Sequence, residues 1–140
     1  MSKDKISGNR PSKDQHPLTL WTVALHDYNT AVYLAENPKI SPNSVGMHLQ
    51  QSAEKAIKAY LAKQRIKYKF THNLHTLFED LASHEDIPSR FNLLRALTPF
   101  AAQLRYELPV EEDEWDAPSF VELTLEFLQW IATVGDFKLT

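Results

Sequence analysis

Residues 47–77 read MHLQQSAEKAIKAYLAKQRIKYKFTHNLHTL. Setting residues about 100° apart from about Ser44 to Lys63 puts Leu49, Ala53, Ala56, Ile57 and Tyr60 on one helical face. Gln51, Glu54, Lys55 and Lys58 fall on the opposite face, with His48 at its edge. Glu54 stands one helical turn before Lys58, the favourable order for an exposed ion pair. The small residues Ala53, Ala56 and Ala59 admit a close helix neighbour. A basic turn follows, and Thr71 or Asn73 can cap a third helix whose buried stripe is Leu74, Leu77, Phe78 and Leu81.

The same period extends in both directions. Upstream, Trp21, Ala24, Leu25, Tyr28, Ala31, Val32 and Ala35 recur at helical steps, and Asn37-Pro38 ends the run. Downstream, Pro88 suits the first turn of a fourth helix facing inward through Phe91, Leu94, Leu97, Ala101 and Leu104, with Pro99 kinking it. A last helix begins after Asp116, a cap, and Pro118. It is apolar on nearly every side, from Phe120 and Val121 through Leu123, Leu125, Phe127 and Trp130 to Val134. A helix apolar all round must be covered all round, which predicts a homodimer through this element. The fold class is therefore all-α, an antiparallel bundle of four to five helices, spanning residues 17–140 after a polar tail over residues 1–16.

Composition agrees with that class. The chain has 140 residues, enough for one core, and only three glycines, too few for a turn-rich β fold. The absence of cysteine excludes disulfides, thiolate catalysis and Cys-ligated metal. No apolar run approaches the ~18 residues of a spanning helix, so no membrane role and a cytoplasmic location are expected. The net charge of -3 conceals two pure runs. Lys55, Lys58, Lys63, Arg65, Lys67 and Lys69 are basic without an intervening acid; Glu107, Glu111, Glu112, Asp113, Glu114 and Asp116 are the acidic counterpart. Such runs hold phosphates or charged partners, or are solvated surface that attracts the opposite run.

The order of these elements resembles that of the HEPN domains, helical proteins found beside nucleotidyltransferases and among RNA-cleaving toxins. The resemblance lies in LQQSAEKAIKAYL of the second helix, Thr71-His72-Asn73-Leu74 at the third helix start, and Arg105-Tyr106 followed by Pro109. It extends over roughly residues 20 to 135.

The resemblance implies a dimer, a minimal nucleotidyltransferase as partner, and a nucleotide or RNA as ligand. The family's best-known activity is metal-independent RNA cleavage by an Arg followed a few residues later by a His. A cation there steadies the charged phosphorane, while an imidazole relays a proton near neutral pH. Arg105 stands in the expected place, but Tyr-Glu-Leu-Pro-Val-Glu-Glu follows it without a histidine. Arg65 with His72 and Arg10 with His16 have comparable spacing elsewhere.

The leading expectation is thus a binding module without the complete motif, using Gln51, Lys55, Lys58, Arg105 and Tyr106 for the nucleotide or RNA. Arg105 and His72 remain the candidate catalytic residues of the alternative, an endoribonuclease toxin of a toxin-antitoxin pair. A purely structural partner is the third class. His72 at a helix start equally suits a hydrogen bond to neighbouring backbone, Arg105 an ion pair inside the bundle, and Tyr106 a core position. Tyr106 also lies where some family toxins are silenced by an attached AMP. His72 and His75 share a helical face without a third ligand, so no metal or other cofactor is expected.

Overall fold

The computed structural model describes residues 16–101 and 115–139. The assigned tail therefore lies outside the described residues, apart from His16. Four α-helices and one 3₁₀ helix are present, with no strand among the described residues: α1 (Pro17–Ala35), α2 (Pro42–Lys63), α3 (Leu74–Ala82), the 3₁₀ helix (Ser89–Phe100) and α4 (Ala117–Gly135). The expected all-α bundle is what the chain forms.

Local chemistry sets the helix starts. The His16 Nδ1 accepts from Leu18 N–H at 3.3 Å, and Pro17 begins α1. Ser41 Oγ accepts from Asn43 N–H at 3.1 Å ahead of α2, two residues earlier than the sequence period suggests. Asn73 Oδ1 accepts from His75 N–H at 2.8 Å, making Asn73 rather than Thr71 the cap of α3. Thr71 Oγ1 in turn accepts from Asn73 N–H, so both residues serve the same turn. Asp116 caps α4 through Ser119 as expected. Each such cap satisfies an amide that the helix leaves without a partner, worth about 1 kcal/mol.

The fourth element departs from expectation. The sequence pattern predicts an α-helix kinked at Pro99; 3₁₀ turns run from Ser89 to Phe100 instead. The buried residues Phe91, Leu94, Leu97 and Phe100 are spaced by three, the period of a 3₁₀ helix, so this winding keeps all four on one line. Pro99 also lacks the N–H that an α-helical bond at that position requires.

α2 occupies the centre, touching α1, α3, the 3₁₀ helix and α4. The sequence assigns it a polar face opposite its apolar one; in the structure both are covered. Ser52 is fully buried and donates to Ala24 O of α1 at 2.8 Å, while Glu54 and Lys58 are each 1% exposed. The Glu54–Lys58 pair expected on the surface is interior.

α4 turns Phe127, Leu128 and Ile131 into the core, where Phe127 stacks on Phe78 and meets Phe91 edge-on. Phe120, Val121, Leu123, Trp130 and Val134 are partly buried against the same core. Much of the apolar girdle that suggests a partner is therefore absorbed within one chain. Trp115 likewise folds back, its ring 4.8 Å from that of Phe100. The acidic residues Glu107 and Glu111 to Glu114 lie outside the described residues.

Candidate functional site

Three residues at successive turns of α2, Gln50, Glu54 and Lys58, meet the segment 68–72 that leads into α3. Glu54 is the hub. Its Oε2 accepts from Lys58 Nζ at 3.0 Å and lies 2.9 Å from His72 Nδ1; its Oε1 accepts from Gln50 Nε2 at 3.0 Å. Gln50 uses the same amide to donate to the His72 carbonyl at 3.1 Å, which pins the segment to the helix. Lys55, half-buried, is 3.7 Å from the carboxylate. A carboxylate only accepts, so His72 Nδ1 carries the hydrogen, and Nε2 makes no hydrogen bond among the described residues.

The charges respond to burial. Desolvation pushes the Glu54 carboxyl up, but Lys58, Lys55 and His72 outweigh it and hold the group below its ordinary value. Desolvation also lowers Lys58, overcoming the raising effect of Glu54. The two directions are not symmetric, because one carboxylate is served by several donors while Lys58 has one acceptor. A buried pair of this kind gains little net stability, yet removing one partner is costly.

Above the pair the surface becomes aromatic. The Phe70 ring lies 5.2 Å from Lys58 Nζ and 6.4 Å from the His72 ring. Phe70 is 66% exposed, an unusual position for a phenylalanine. Lys67 and Lys69 beside it are exposed. Beneath, the Tyr68 hydroxyl is buried without a hydrogen-bond partner among the described residues, and burial with the nearby Glu54 charge pushes it up to about 12. On the α1 side, His48 Nδ1 is 3.5 Å from Asp27 Oδ1. Burial raises the Asp27 carboxyl despite the lowering effect of that histidine.

Of the residues anticipated from sequence, Lys55, Lys58 and His72 converge on Glu54, while Gln51 is half-buried on α2. Arg105 and Tyr106 lie outside the described residues. No hydrogen bond or ion pair joins Arg65 to His72 among the described residues. Gln50, Tyr68 and Phe70 were missed. The spacing of Gln50, Glu54 and Lys58 by four is a legible signal, since it puts all three on one row of α2. No group of three His, Asp or Glu side chains among the described residues could hold a metal ion, and no described helix is long and apolar enough to cross a membrane.

The arrangement offers an exposed aromatic ring, a histidine oriented by a carboxylate, and lysines around both. Chemically it can stack a planar ring and receive phosphate; the imidazole can also exchange a proton through Nε2. Comparison with curated proteins and with solved structures returns no match. A family model described as HEPN domain matches residues 18–134.

Proposed function

The chain belongs to the HEPN domain family, and from that premise we propose that it is a dimeric binding module that takes a nucleotide or RNA and works with a minimal nucleotidyltransferase. The observation that carries the ligand reading is Phe70, exposed beside His72, with Lys67 and Lys69 exposed next to it in sequence and Lys55 on the adjoining Glu54 cluster. A base stacks on Phe70 and its phosphate meets the lysines. Lys58 holds the geometry through Glu54 and Phe70 more than it contacts ligand, because it is buried. Gln51, Arg105 and Tyr106 complete the proposed set on the basis of the family resemblance. The experiment is titration with AMP, GMP, CMP, UMP and a short single-stranded RNA at two salt concentrations. Phe70→Ala should weaken binding about tenfold, the scale of one stacked base, with rescue by Phe70→Trp. Affinity unchanged by Phe70→Ala and by Lys55→Ala would reject this site.

A second reading, the metal-independent endoribonuclease toxin, draws on one observation: Glu54 orients His72 as a carboxylate orients a catalytic imidazole. Under it, Arg105 and His72 would be catalytic. RNA cleavage lost in both Arg105→Ala and His72→Ala would favour that reading; no cleavage by the wild-type chain would leave the binding module.

Dimerisation is proposed through α4 and the 3₁₀ helix. Leu93 is 64% exposed and Leu125 also reaches solvent. Leu93 lines a shallow groove of about 300 Å3 with Phe120 and Leu123, bordered by the Arg90–Glu126 pair.

A further inference from the structure

At the C-terminal end of α2, the first turns of α1 and the residues after α4 line a half-open cavity of about 660 Å3. Its apolar lining comes from Leu18, Trp21, Leu25, Phe137 and Leu139. The volume lies in the range of small-molecule sites, and its walls are held in place before any ligand arrives. Trp21 Nε1–H donates to Lys138 O at 2.6 Å, and the Trp21 ring stacks on Phe137 at 4.7 Å. Lys63 Nζ donates to the carbonyls of Gly135 and Asp136 at 2.7 and 2.6 Å. Leu18 and Leu139, 62% and 44% exposed, leave large aliphatic surface in water at this end. An apolar occupant would remove that surface from solvent.

The charged lining indicates the polar end of that occupant. Among the described residues Lys63 and Lys138 share the lining with one acid, Asp136, while His16 and His26 contribute no negative charge in either protonation state. The Lys63 ammonium donates to two carbonyls and lies 4.5 Å from the centre of the Phe137 ring, which fixes its positive charge at the cavity wall. We propose that this cavity binds a small apolar monocarboxylate, its hydrocarbon part along Leu18, Leu25 and Leu139 and its carboxylate toward Lys63 and Lys138. This ligand class and this end of the bundle are separate from the Phe70 surface, so either assignment can fail without the other.

Decanoate, kept below its micellar concentration, is the probe, with decanol as its uncharged counterpart. Calorimetry on the full chain should give saturable binding of decanoate and weaker binding of decanol. NMR shifts should centre on the Trp21 indole N–H and the methyl groups of Leu18, Leu25 and Leu139. Thr22→Trp, which places a large ring on an exposed lining position, should abolish binding of both probes without lowering the melting temperature. Lys138→Glu should weaken decanoate roughly fivefold, as expected for one partly screened charge contact, and leave decanol unchanged. Equal affinity for the two probes would overturn the carboxylate assignment. Non-saturable binding, or shifts centred elsewhere, would overturn the site. Trp21 shifts that follow protein dilution in the absence of probe would make the cavity a contact between copies and overturn the proposal as well.

Discussion

Glu54 shows how much can rest on one side chain. Replacing it with Ala leaves Lys58 buried without its acceptor, and a loss of about 3–5 kcal/mol is expected. Glu54→Leu combined with Lys58→Met should recover most of that loss, because neither charge then needs a partner. Chemical denaturation of the wild type, both single variants and the double variant measures this directly. The pH dependence has a definite sign. The folded-state Glu54 carboxyl is held below its ordinary value, so its contribution is present above about pH 4.5, the unfolded value, and is lost as pH falls through the folded one. Acid unfolding of Glu54→Gln should lack that part of the slope.

Tyr68 makes the opposite case, since its buried hydroxyl has no partner among the described residues. Tyr68→Phe is expected to stabilise by about 1 kcal/mol, the cost of leaving that group unsatisfied. With the folded phenol pushed up to about 12, the wild type loses stability as pH rises from about 10, the unfolded value, toward 12. The variant should lose less over that interval, though not nothing. Tyr60, also raised to about 12 and donating to the Glu85 carboxylate, follows the same course. Thermal melts at pH 7 and across the alkaline interval check both effects.

At the scale of elements, Gly46 is expected to resist replacement. Alanine normally favours a helix over glycine by about 1 kcal/mol. Here a Cβ would lie 2.7 Å from Cδ1 of Phe100, whose ring is backed by Trp115 and has little room to retreat. Overpacking typically costs about 1–3 kcal/mol, so Gly46→Ala should lower stability on balance. Equilibrium unfolding decides it.

The helices themselves were readable from hydrophobic spacing and caps, because each is written in contiguous residues. The 3₁₀ winding was present in the three-residue spacing of Phe91, Leu94, Leu97 and Phe100, but a four-residue alternative that continued to Ala101 and Leu104 competed with it. Burial of Glu54 and Lys58 was not readable in the same way. A helical wheel separates apolar from polar sides but does not say how many neighbours a helix has. α2 is covered by four elements, two of them its neighbours in sequence and two from much later in the chain, and only their arrangement makes its polar row interior. The site was legible in part: Lys55, Lys58 and His72 were named, whereas Phe70 had no periodicity to mark it.

For the whole molecule, the proposed dimer has a measurable consequence. Leu93→Glu should shift the mass from light scattering toward the monomer while leaving the helical signal intact, since Leu93 is exposed. A charge at Phe127, which is completely buried, should instead unfold the chain. A wild type already monomeric at tens of micromolar would remove the basis for this interface.

The hydrogen bond from Trp21 to Lys138 joins residues 117 positions apart. Its loop is closed only after almost the whole chain has been ordered, whereas the neighbouring α1 and α2 can meet through a short connection. This clasp is therefore a late event in folding. It lies at the edge of the bundle, and edge contacts open more readily than a central core. Native-state hydrogen exchange should find the Trp21 indole proton leaving faster than the amides of Ala56 and Ile57. Its rate would time the opening of the far end of the molecule, independently of global unfolding.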